Sequence, residues 1–126
     1  MKTDNIVQKK SFDFAIRIVG LYKYLTEEKK EFLISKQLFR AGTSIGANIE
    51  ESIGGQSDKD FLTKLSISYK EAREVIYWIK LLSSCSYLTI KQTESILADA
   101  EELCKIIGKI QVTTKKRILN GQVLRK

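Results

Sequence analysis

The chain has 126 residues, 43% hydrophobic and 29% charged, with no Pro, no His and a net charge of +7. That size fits one domain with a self-sufficient core, and no apolar run approaches the roughly 20 residues of a membrane span. The missing His removes Ser-His and Cys-His nucleophile pairs and the commonest metal ligand.

The N-terminus, Met1-Lys2-Thr3-Asp4-Asn5, is polar and has no signal-peptide apolar segment, so the expected location is the cytoplasm. The first helix is expected over residues 11–25. It has two apolar faces. Phe12, Ala15, Ile16, Val19 and Tyr22 form one, and Phe14, Ile18, Leu21 and Leu25 form the other. One face serves the domain's own core. Phe14, Ile18 and Leu21 are taken as the face left for contacts between copies.

A charged connection precedes a second helix over residues 31–53. Ile34, Leu38, Ala41, Gly42, Ile45, Ile49 and Ile53 share one side of it. Gly42 and Gly46 lie one turn apart beside that stripe. Each glycine costs a helix interior about 1 kcal/mol relative to Ala, so their expected role is close approach of a neighbouring helix. Asn48 borders the stripe and is expected to hold a buried hydrogen bond that fixes helix register. Gly54-Gly55 is expected to end the helix by taking the left-handed conformation.

Ser57 is the expected N-cap of a third helix over residues 58–84, with Asp58 and Asp60 favourable in its first turn. Phe61, Leu65, Ser68, Ala72, Val75, Ile76 and Ile79 make its inner stripe. Trp78 lies away from that stripe with Ile67 and Leu81. A tryptophan on the far side of a helix points to a second packed surface, here one between subunits. Thr89-Ile90-Lys91-Gln92 matches a capping box opening a fourth helix over residues 90–114. Leu97, Ala100, Leu103, Cys104, Ile107 and Ile110 sit at bundle spacing. Short connections between four amphipathic helices imply an all-α, antiparallel up-down-up-down four-helix bundle over residues 1–114.

Residues 115–126 are expected as a basic C-terminal tail that either extends the fourth helix by a turn or is disordered, with Asn120-Gly121 as a breaker. Up to Cys104 the basic and acidic residues balance, and after Glu102 no acidic side chain occurs. Lys105, Lys109, Lys115, Lys116, Arg117, Arg125 and Lys126 therefore carry the whole excess charge. A basic end on a neutral body is the expected contact for RNA or DNA. The alternative is a protein-binding scaffold whose basic tail docks on an acidic partner.

Gln37-Leu38-Phe39-Arg40-Ala41-Gly42-Thr43-Ser44-Ile45-Gly46-Ala47-Asn48-Ile49-Glu50-Glu51 resembles the second-helix signature of a bacterial family of ribosomal RNA intervening-sequence proteins. Ser57, Asp60-Phe61, Lys64-Leu65-Ser66-Ile67, Lys70-Glu71-Ala72-Arg73-Glu74 and Tyr77-Trp78-Ile79 continue the likeness. The family is similar to the accessory variability protein of diversity-generating retroelements. The resemblance spans residues 11–112. It implies a homopentameric, barrel-like ring of helical subunits, and in the retroelement branch nucleic-acid binding and contact with a reverse transcriptase. Many members have Pro where this chain has Gly46.

The resemblance supplies no catalytic residues. A di-iron bundle would need Glu-x-x-His pairs, so Glu50, Glu51, Glu71 and Glu74 are expected to pair with Arg40, Lys70 and Arg73 instead. Cys85 and Cys104 have no metal-ligand spacing and are read as small core or semi-exposed residues. No enzyme, cofactor or membrane partner is expected.

Overall fold

The computed structural model describes the backbone of residues 2–124 and the side chains of residues 6–121. Four helices follow one another: α1 (Lys2–Glu27), α2 (Ile34–Ile53), α3 (Asp58–Ser84) and α4 (Ile90–Leu124). No strand occurs among the described residues.

Each helix packs on its chain neighbour, and α1 also meets α4. Contacts run in opposite senses along every pair. On α1 and α2, Gln8 bonds Glu50 and Tyr22 meets Phe39. On α2 and α3, Lys64 pairs with Glu51 and Arg40 with Glu71 and Glu74. On α3 and α4, Arg117 pairs with Asp58 and Gln111 bonds Ser66. Lys10–Glu102, at 2.8 Å, and Arg17 with Ser95 and Asp99 close the ring between α1 and α4. The fold is thus an antiparallel four-helix bundle.

The start of α1 differs from the sequence expectation by nine residues. The helix begins at Lys2 rather than Ser11. Val7, Ser11, Phe14, Ile18 and Leu25 are all buried at helical spacing, so apolar packing continues a full two turns before Phe14. This also settles which face of α1 is inside. Phe14 and Ile18, expected at a contact between copies, are core residues at 2% and 0% exposure. Leu21 is half-buried against the same core. Phe12 and Ile16, on the opposite face, are 63% and 58% exposed.

The two glycines of α2 lie where α1 crosses. A Cβ on Gly46 would stand 3.3 Å from the Ser11 carbonyl oxygen, so the two backbones themselves nearly touch there. Gly42 faces the Ile18 side chain still more closely. Asn48 is buried, but its amide does not reach another helix. Its Nδ2 donates to the Ser44 carbonyl at 2.9 Å and to Ser44 Oγ at 3.0 Å, one turn back on α2. The buried polar link between α2 and α3 is Ser68, whose hydroxyl donates to the Ile45 carbonyl at 2.9 Å. A serine hydroxyl can satisfy itself on a neighbouring helix only where the backbones come close, and α2 is built of small residues at that level.

Helix ends follow local chemistry. Ser57 Oγ accepts from the Asp60 N–H at 3.1 Å. Thr89 and Gln92 close the capping box: Thr89 N donates to Gln92 Oε1 at 2.9 Å, and Gln92 N to Thr89 Oγ1 at 3.1 Å. At α2 the cap is Glu31, three residues before the helix. Its buried carboxylate accepts from the N–H groups of Leu33, Ile34 and Ser35. Burial pushes the carboxyl upward, but those backbone donors outweigh it and hold the group below its ordinary range.

Gly54 and Gly55 do not take the left-handed conformation; Gly54 has φ −80° and ψ 0°. The left-handed positions are Lys30 and Ser86, at φ 55° and 67°. The N–H after Ser86 reaches back five residues, Tyr87 to the Leu82 carbonyl, as at a helix C-terminus of the Schellman type, and the N–H after Lys30 reaches back six, Glu31 to the Leu25 carbonyl. Gly55 serves close approach instead, since a Cβ there would stand 3.1 Å from the Ser52 carbonyl oxygen.

Residues 115–124 of the segment expected as a tail are helix. α4 runs through Asn120 and Gly121 to Leu124. Thr114 is buried at 1% exposure and Arg117 is bound to α3, so packing carries the helix past residue 114, its expected end. Arg117 meets Asp58, the first residue of α3, and the seven residues after it extend roughly 10 Å beyond that end.

Candidate nucleic-acid interface

The basic residues of α4 separate into groups once the helix is built. At about 100° per residue, Lys105, Lys109 and Lys116 fall within roughly 40° of one another and span about 16 Å of the helix. All three are exposed. Val112 and Leu119, 53% and 59% exposed, lie in the same strip. Lys115 is exposed on its flank. None of the salt bridges among the described residues takes Lys105, Lys109, Lys115 or Lys116.

Arg117 plays a different part. Its Nε and Nη2 donate to the two Asp58 carboxylate oxygens, each at 3.0 Å. That fork ties α4 to the start of α3 and holds the Asp58 carboxyl below its usual range through the hydrogen bond and the guanidinium charge. Arg117 is therefore a clamp within the protomer. Asp58 was visible in the sequence as a first-turn acid of α3, but the pairing spans 59 residues and no local pattern predicts it. Arg125 and Lys126 lie outside the described residues.

Beside the lysine strip, α3 and α4 leave a shallow groove of about 640 Å³. Tyr69, Cys104, Gly108 and Val112 line it, with Lys105, Lys109 and Thr113. Gly108 keeps it open: a Cβ there would lie 3.8 Å from the Tyr69 ring, in ordinary contact. Burial pushes the Cys104 thiol above its usual range, against the opposing pull of the Arg73 charge and with Glu101 one turn away. Cys85 and Cys104 are both free thiols.

A second surface lies on the outer side of α1 and α2. Phe12, Ile16 and Val19 share a face of α1, and the Tyr22 ring meets that of Phe39 on α2 at 5.0 Å. Phe12, Ile16 and Phe39 are exposed. Trp78, on α3, is half-buried against the core and stacks edge-on with Tyr77, at 5.0 Å between ring centres. Its Nε1 is enclosed without an acceptor among the described residues.

The glutamates considered for metal chemistry are dispersed on the surface. Glu71 and Glu74 hold Arg40, Glu51 holds Lys64 and Glu50 accepts from Gln8. Lys70 and Arg73 take none of these carboxylates. Among the described residues, no three His, Cys, Asp or Glu side chains gather at metal-binding separations. No helix among them is long and apolar enough to cross a membrane.

The helix order and packing accompany a direct family match. Residues 3–109 match the family described as 23S rRNA-intervening sequence protein. The chain belongs to that family. A crystal structure of a protein of unknown function from the S23 ribosomal protein family of Bacteroides thetaiotaomicron VPI-5482 is similar throughout, with 51% identity and a TM-score of 0.86. The match covers 86% of this chain and 97% of that one. Curated proteins give no match. In this intervening-sequence protein the family match ends at residue 109, so Lys115 and Lys116 lie beyond it while Lys105 and Lys109 lie within it.

Proposed function

We propose that this chain is a non-enzymatic, self-associating subunit that holds RNA or DNA electrostatically along α4. The observation that carries the reading is the strip of Lys105, Lys109 and Lys116. It projects three cations from one side of a rigid helix and commits none of them to a salt bridge with a described residue. A polyanion bound there releases counterions, and each phosphate neutralised contributes about 0.9 to the log–log salt slope on duplex DNA or about 0.7 on a single strand.

Self-association uses the exposed α1–α2 face around Phe12, Ile16 and Phe39, and the ring of five follows the family resemblance. A ring repeats the lysine strip on every subunit and so multiplies the local field. A reverse transcriptase is the partner that the retroelement likeness implies.

The test is a salt titration of nucleic-acid binding, parent against Lys105→Gln/Lys109→Gln/Lys116→Gln. The variant is expected to lose roughly two to three units of slope with an unchanged melting temperature and oligomeric state. Equal slopes, or no binding by the parent at low salt, would overturn the reading and favour an acidic protein partner.

A further inference from the structure

The lysine strip explains attraction to any polyanion; the groove beside it is selective. We propose that the groove between α3 and α4 at Gly108 takes an unpaired nucleobase, so that α4 prefers single-stranded nucleic acid to duplex. The inference rests on the nucleic-acid reading above and narrows it.

Three features converge. The groove's lining is largely apolar, with Val112, Cys104 and the Tyr69 ring among it. Single-strand binders combine such an aromatic surface with a positively charged track for the backbone. The track is present on one side: Lys105 and Lys109, both on α4, line the groove. The third feature is Gly108. A glycine in the middle of a 35-residue helix costs about 1 kcal/mol relative to Ala. Unlike Gly42, it faces no side chain that an added methyl would overlap. A Cβ there would lie in ordinary contact with the Tyr69 ring, so the position tolerates a side chain, and a larger one would reach into the groove.

The size fits as well. A volume of about 640 Å³ admits a base with its sugar, whereas the paired, stacked bases of a duplex cannot turn a face into a groove on the protein surface. Of the groups in contact with the groove, Lys105 and Lys109 are charged and neither is acidic, which disfavours a cationic occupant. Glu101 lies one turn up the helix from Cys104, outside the lining.

The experiment compares binding of a labelled single-stranded oligouridine and a random-sequence DNA duplex by the full chain and by Gly108→Leu. Leucine is a better helix former than glycine and fills the groove without removing a charge. Thermal melts establish that the variant is folded. The expected result is a loss of about tenfold or more in single-strand affinity, the scale of one lost stacking contact, with duplex affinity within twofold of the parent. Tyr69→Leu should repeat the selective loss. Single-strand affinity unchanged in Gly108→Leu overturns the groove assignment, including the case where a peptide is the true occupant, and leaves the lysine strip standing. Parallel loss on both nucleic acids also overturns it, since the groove is then not selective. A parent that binds neither one overturns the strip and the groove together.

Discussion

A Cβ placed on Gly42 would lie 2.6 Å from Ile18 Cγ1 and 2.9 Å from its Cγ2. Both atoms are attached directly to the Ile18 Cβ, so the branched side chain cannot swing aside cheaply in a core where it is fully buried. Gly42→Ala should therefore overpack the seam by about 1–3 kcal/mol, offset by about 1 kcal/mol of helix propensity. The diagnostic is a double-mutant cycle in urea. With Ile18→Ala already in place, Gly42→Ala should cost nothing or stabilise. Equal destabilisation in both backgrounds would show that Ile18 is not what excludes the methyl group.

Glu31 caps α2 through its ionised form. Its folded carboxyl titrates below the ordinary 4.5, so its contribution is complete above that value and is lost as the pH falls through the depressed folded one. Glu31→Gln should cost about 1–2 kcal/mol at pH 7. The stabilities of parent and variant should converge in acid below the carboxylate range. A gap that stays constant down to pH 3 would show that the charge is not what holds the helix end.

Glycine is useful at positions 30 and 86 and dispensable at 54. Lys30 and Ser86 hold left-handed backbone that costs an ordinary L-residue about 1–2 kcal/mol. Lys30→Gly and Ser86→Gly should each raise stability by up to about 1 kcal/mol after the added chain entropy is counted. Gly54→Ala should be neutral or slightly stabilising, because its φ is negative and an added Cβ meets only the Glu51 carbonyl, at 3.7 Å. Chemical unfolding of the three variants checks the order.

The outer α1–α2 face should set the assembly state. Phe12→Glu with Ile16→Lys should convert an oligomer to a monomer in sedimentation velocity while circular dichroism stays helical. The parent sedimenting as a monomer at tens of micromolar would remove the premise. An unchanged oligomer in the variant would move the contact elsewhere, first to Trp78 and Tyr77.

Much of the bundle was legible because its signals are local. The Ser57 cap, the Thr89–Gln92 box and the α2 stripe each depend on residues within two turns of one another. The inner face of α1 was not, because its two faces are equally apolar. Phe14 and Ile18 are core because Ile18 meets Gly42 across the seam, a relation that composition does not carry. Val7, seven residues before Phe14, was the overlooked sign that α1 starts early. The left-handed residues were misplaced at glycine, the type best suited to that conformation. The lysine strip was legible as charge but not as geometry, since α4 had to run past residue 114, its expected end, for Lys116 to align with Lys105 and Lys109. Removing Arg117 from that set required the fold, because Asp58 is far away in sequence.

Each helix in this bundle lies against the one before it in the chain, and the α1–α4 seam alone joins distant segments. Three of the four seams can therefore form by zipping hairpins outward from short turns, at little loop-closure cost. Domains dominated by such near-neighbour pairing fold in microseconds to milliseconds. The docking of α1 on α4 closes the longest loop and is therefore the step expected last, where Lys10 meets Glu102 and Arg17 meets Asp99. Interactions that form after the transition state govern how fast a protein comes apart rather than how fast it assembles. Changes at the seam that joins the beginning of the chain to its end are therefore expected to act mainly on the lifetime of the folded state.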